Sequence, residues 1–208
     1  MRAPNRKKRA SSLANRRRSQ ILAAAVEPFA KRGFYETEVE DIAKEAGISK
    51  GTIYNYFADK RSLFMATIEW GLNQLSNRID ESVRGVTEPV LKLETAMETC
   101  LAFFQSHRHL YRIIFLHRST YRDKAELRFT KKYLAHFCLF EGILAEGIER
   151  KAFKSVDARL VSFAIVGIIH ALCHEWLLGG ESRKLAGNVS EIKKLVFDGI
   201  ERKEGYLR

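Results

Sequence analysis

Cysteine is scarce in this chain of 208 residues and shows no pairing pattern. The three thiols, Cys100, Cys138 and Cys173, are odd in number and far apart, and no Cys-x-x-Cys occurs. That pattern argues against a disulfide framework and predicts buried free thiols in a reducing cytoplasm. Long apolar runs are missing too. The longest uncharged stretch, Leu160 to His174, has 15 residues, short of a membrane span. Charges at Arg2, Arg6 to Arg9 and Arg16 to Arg18 leave no apolar core for a secretory leader. No useful period-two alternation occurs, so no strand is expected. Without strands, no glycine-rich phosphate loop can follow one, and the serines lack a nucleophile-elbow context. The chain reads as a soluble, cytoplasmic, all-α protein that is not an enzyme and carries no cofactor.

Positive charge, by contrast, is in excess. Lys and Arg number 36 against 25 Asp and Glu, a formal net of +11. The first 60 residues hold 13 of those cations against 7 acids, so the excess is concentrated at the N-terminal end. Such a balance favours polyanions, either nucleic acid or an anionic membrane.

The stretch Val39 to Lys60, VEDIAKEAGISKGTIYNYFADK, separates those two polyanions. Val39, Ile42, Ala43 and Ala46 recur at helical spacing. Gly47 suits the left-handed residue that stops a helix, and Ser49 suits the N-cap of the next. The second helix has only Ile53 and Phe57 as buried anchors. Its other positions, Lys50, Gly51, Thr52, Tyr54, Asn55 and Tyr56, are small, polar or amphipathic. A helix that packs so little of itself is built to meet something else, and the pattern is a helix-turn-helix whose second helix enters a DNA major groove.

SKGTIYNYF with Lys60 three residues later closely resembles the recognition segment of TetR-type transcriptional repressors. FAKRGFYETEVEDIAKEAGIS resembles the same family's approach to the motif. The specific likeness covers roughly Ile21 to Leu63; beyond it, only helix order and length are similar. It implies phosphate contacts from Thr37, Tyr56 and Lys60, with Ser49 serving as cap and phosphate ligand together. By their own chemistry, Lys50 can donate to guanine O6 and N7, and Asn55 to an adenine edge. Thr52 and Tyr54 offer apolar surface to thymine methyls as well as a hydroxyl. Gly51 lets the backbone approach the groove.

Around this motif the chain divides into a basic disordered arm (1–14), a DNA-binding domain (15–62) and a ligand-binding and dimerisation domain (63–208). Helix one is expected from Asn15 to Lys31 or Arg32, kinked by Pro28 and ended by Gly33. Asp59 caps a long fourth helix with Phe64, Ile68, Leu72, Leu75, Ile79 and Val83 in one stripe. After a break at Gly85 to Pro89, helices follow over Val90 to His107, Leu110 to His117 and Leu127 to Ile148. Residues 158–178 form a nearly all-round apolar helix that calls for burial on every side. The last helix, from Ser190, presents Ile192, Leu195, Val196 and Ile200.

Aromatic residues beyond what packing asks for, Phe103, Phe104, Tyr111, Phe115, Phe137, Phe140 and Trp176, suggest an apolar ligand pocket. His107, His136 and His170 are its polar candidates. His170 and His174 stand four apart beside Cys173, a spacing that suits zinc but lacks a third ligand, so no metal is assigned. The expected partners are palindromic operator DNA, a second copy of the chain through 158–178 and 190–203, and a small apolar effector that releases a repressor. No membrane partner is expected. Two other classes stay open, a sequence-independent architectural DNA binder and a helical protein docking on anionic membranes.

Overall fold

A computed structural model describes residues 6–115, 138–180, 185 and 189–200. Its regular elements are α-helices: α1 (Arg6–Glu36), α2 (Val39–Glu45), α3 (Lys50–Tyr54), α4 (Lys60–Val83), α5 (Pro89–Ser106), α6 (Arg108–Phe115), α7 (described over 138–149), α8 (Ala158–Leu178) and α9 (Val189–Ile200). The start of the expected seventh helix, with Leu127, Leu134, His136 and Phe137, lies outside the described residues, as does the Phe115 side chain.

Two compact units form. The first contains α1 to α3, α4 as far as Gly71, and α6 from His109. Its core is the apolar face of α1 (Ile21, Leu22, Ala25, Phe29) with Ile42, Ile53, Phe57, Leu63 and Phe64. Phe29 and Phe34 each meet Phe64 edge to face, at 4.8 and 5.4 Å between centroids. Each buried Leu, Ile or Phe contributes about 1.5–3 kcal/mol by leaving water. On α6, Leu110, Tyr111, Ile113 and Ile114 are all buried. Leu110 packs so near α4 that a Cβ on Gly71 would lie 2.8 Å from its Cδ2.

The helix α1 differs from expectation at its start. It begins at Arg6, inside the stretch expected to be a disordered arm. After Pro4 the segment RKKRASSLANRRR contains no breaker, and Arg, Lys, Ala and Leu are good helix formers. Pro28 stays within the helix, and Gly33, at φ 75°, breaks it as expected.

The second unit contains α4 from Leu72, α5, α7, α8 and α9. Here α5 is central, packing against both α8 and α9 with Leu93, Met97, Cys100, Leu101 and Phe104 buried. Lys92 of α5 pairs with Glu146 of α7, and Glu94 of α5 with Lys193 of α9, each at 2.7 Å. The end of α7 turns through Lys151, a non-glycine residue at φ 62°. Ala152 N–H donates back to the Gly147 carbonyl (2.9 Å) and Lys151 N–H to that of Ile148 (3.0 Å). This Schellman turn folds Phe153 onto Gly147, where any Cβ would sit 2.2 Å from the ring. The Phe153 ring in turn stacks on Phe197 of α9, 6.4 Å away.

Two packing expectations, on Leu195 and Cys138, need correction. Leu195 of α9 is 69% exposed, and Phe197 takes its place in the core. A single chain does not cover α8 all round: Leu160, Phe163, Ala164, Gly167, Ala171 and Leu178 line an exposed stripe at helical spacing, on the helix expected to meet a second copy. With 21 residues, α8 is long and apolar enough to cross a membrane by length and composition alone. Cys138 is exposed, whereas Cys100 and Cys173 are buried. Burial pushes the Cys173 thiol up to about 12 and raises Cys100 likewise, with the neighbouring Cys173 adding to the Cys100 shift. Along α4 the expected stripe is buried from Phe64 to Ile79 and half-buried at Val83.

Candidate nucleic-acid interface

Each end of the α2–α3 turn is fixed by local hydrogen bonds. Gly47, at φ 65°, donates to the Lys44 carbonyl (3.1 Å), and Ile48 N–H donates to that of Ala43 (3.0 Å). Ser49 then caps α3, its Oγ accepting from Thr52 N–H at 3.2 Å, with the Thr52 hydroxyl 2.9 Å away. From this segment only Ile53 and Phe57 enter the core, as expected. Lys50, Gly51, Tyr54 and Asn55 are exposed, and Thr52 and Tyr56 half-buried. A Cβ on Gly51 would meet nothing nearer than Ser49 Oγ at 3.9 Å. The protein's own packing therefore does not require glycine there.

Thr37 is corrected by the structure. It is fully buried, and the N-cap of α2 is Glu38, with no side-chain bond. The Thr37 hydroxyl points back to α1, 2.5 Å from the Gly33 carbonyl and 3.1 Å from that of Pro28. Where α1 breaks, these carbonyls lose helical donors, and a buried hydroxyl supplies one. A hydroxyl so placed is not available to a phosphate.

Lys60 also faces inward. Its Nζ donates to the Tyr35 carbonyl (2.9 Å) and the Thr37 carbonyl (3.0 Å), and lies 5.0 Å above the Phe34 ring. A cation at the first residue of a helix opposes the dipole. Two carbonyls and a ring face compensate, so Lys60 braces the α1–α2 corner against α4.

Lys50 is engaged as well, in an ion pair with Glu40 on α2, with its Nζ 5.9 Å from the Tyr54 ring centroid. The hydrogen bond from Lys50 holds the Glu40 carboxyl below its ordinary range, and the same bond raises Lys50. Glu40 was not legible from sequence, since ten residues of separation carry no helical signature. Arg16 to Arg18 were legible as basic contacts from helix one, but not that the Arg18 guanidinium lies 5.2 Å over the Phe57 ring. Arg16 to Arg18 are all exposed.

The sequence profile of bacterial regulatory proteins of the tetR family matches residues 21–67, and that of a tetracyclin repressor-like C-terminal domain matches 86–181. The chain belongs to the TetR family. TetR-family relatives align along most of its length. A fatty acid metabolism regulator protein of Bacillus subtilis is 25% identical over 185 residues, covering 88% of this chain and 95% of that one. The transcriptional activator FasR of Mycolicibacterium smegmatis is 27% identical over 164 residues, 77% of this chain and 72% of that one. Among solved structures, FadR from Bacillus subtilis in complex with stearoyl-CoA superposes with a TM-score of 0.81 at 25% identity, covering 88% of this chain and 99% of that one. The chain is accordingly a DNA-binding transcriptional regulator.

Of the residues expected around an effector, Phe103, Phe104, Phe140 and Trp176 are buried in the second unit, and Tyr111 is buried in the first. Phe103 meets Phe104 at 5.7 Å and stacks on His107 at 4.3 Å. Trp176 Nε1 is buried with no hydrogen-bond partner among the described residues. No group of three His, Cys, Asp or Glu able to hold a metal forms among those residues, so His170 and His174 gain no third ligand.

Proposed function

We propose that this TetR-family regulator is a cytoplasmic homodimeric repressor that binds a palindromic operator and is released by a long-chain acyl thioester. The proposed division of labour assigns DNA binding to 15–62, and ligand binding and dimerisation to 63–208. Lys50 and Asn55 read base edges, Thr52 and Tyr54 meet thymine methyls, and Tyr56 with Arg16 to Arg18 contacts phosphates. The observation that carries the effector class is the likeness, over most of the chain, to a regulator that holds stearoyl-CoA. The aromatic interior of the second unit suits an acyl chain, and Trp176 Nε1, without a partner among the described residues, offers a donor to the thioester carbonyl. The continuous helix α4, shared by both units, supports a coupled response.

Dimerisation is supported by the exposed apolar stripe on α8. One short reading helix meets few base pairs, so useful specificity calls for two half-sites. The test is reciprocal. A duplex selected by the protein from a random pool is titrated by anisotropy with stearoyl-CoA, stearate and coenzyme A separately. Stearoyl-CoA is expected to weaken DNA binding, and DNA to weaken stearoyl-CoA binding by the same factor. An unchanged DNA affinity overturns the effector class. A raised affinity overturns release, and points to activation as in the FasR relative.

A further inference from the structure

We propose that Glu40 is a specificity-determining residue: it holds the Lys50 ammonium across the helix-turn-helix and so keeps that cation from binding phosphates of random sequence. This rests on α3 being the DNA reader. Glu40 lies in the first turn of α2 and Lys50 opens α3. Their ion pair links the side chains of α2 and α3 across the turn. The adjacent carboxylate, Asp41, is held by Arg32 of α1 instead, so it does not compete for Lys50. With the Tyr54 ring on another side, the ammonium is drawn toward α2, and the Lys50 side chain is 46% exposed.

Affinity for random duplex comes from cations that replace counterions on phosphates. A cation already neutralised by its own carboxylate adds little to that exchange. Moving it to a phosphate also leaves Glu40 unpaired next to the polyanion. A guanine edge asks for something different. Its O6 and N7 are neutral acceptors, which the ammonium's other hydrogens can meet with Glu40 still bound. Glu40 therefore penalises random sequence more than the cognate one.

The experiment uses the full chain, the duplex it selects from a random pool, and a scrambled duplex of equal composition, over a range of salt. Glu40→Gln is expected to raise affinity for the scrambled duplex several-fold and to steepen its salt slope by ~0.9, one phosphate's worth. Affinity for the selected duplex should change less, narrowing the ratio between them. Lys50→Ala in the Glu40→Gln background should remove the gain. Melting curves by circular dichroism check folding, and Glu40→Ser with the same pattern excludes an effect peculiar to glutamine. Equal gains on both duplexes, no gain, or a loss on both overturns the proposal. If the wild-type chain itself fails to discriminate, the DNA-reading function falls and this inference with it. If the wild type discriminates and Glu40→Gln does so equally well, only the inference falls.

Discussion

Lys60 shows how a residue can hold its expected type yet serve an unexpected purpose. Its ammonium holds the carbonyls of Tyr35 and Thr37 while Thr37 closes those of Gly33 and Pro28. Two side chains thus face four backbone acceptors at one corner, the single Thr37 proton being shared between two of them. Lys60→Met keeps most of the apolar stem and removes the donors. It should cost about 0.5–1.5 kcal/mol of stability in urea unfolding, the net worth of hydrogen bonds to one exposed and one part-buried carbonyl. DNA binding should weaken on every sequence, but the slope of log K against log salt should not change. A slope shallower by ~0.9 with unchanged stability would make Lys60 a phosphate anchor instead. At this scale the sequence showed residue type more readily than direction. Ser49 and Gly47 act through bonds within four residues, and were legible. Lys60 and Glu40 depend on partners ten to 25 residues away and were not, and Thr37 turns back to Gly33 and Pro28 because α1 breaks there.

At the scale of elements, periodicity located the helices, because each must bury a stripe, but it did not locate their neighbours. The α8 composition is apolar on nearly every face, yet α5 is the helix at the centre of its unit. On α9 the sequence reading put Leu195 in the core stripe, but Phe197 is buried there instead, against the Phe153 ring. That ring position depends on Gly147. Gly147→Ala would push a methyl into the Phe153 ring and unstack it from Phe197. Overpacking of this kind costs typically ~1–3 kcal/mol. Equilibrium unfolding should show that loss, and a Gly147→Ala protein as stable as wild type would mean the turn after α7 is free to shift.

For the whole molecule, the exposed stripe on α8 is the feature a single chain leaves unfinished. Gly167 lies within it, and a Cβ there would meet nothing within 4 Å. Gly167→Arg should therefore fold normally while keeping a second α8 from approaching. Sedimentation is expected to show a single 23.9 kDa species with strongly reduced operator affinity, where the wild type runs at twice that mass. A dimer that survives this change would place the interface elsewhere. The start of α1 is unfinished in another sense. From Ser12 to Gln20 every residue is exposed, and among the described residues Arg18 over the Phe57 ring is the contact that ties those turns to the rest of the first unit. A helix of that length is marginal in water without tertiary support. If α1 meets DNA as proposed, winding these turns is an entropic debt that association settles, and part of the binding heat is expected to belong to folding. Residues far from any base would set affinity simply by changing how often these turns are already wound.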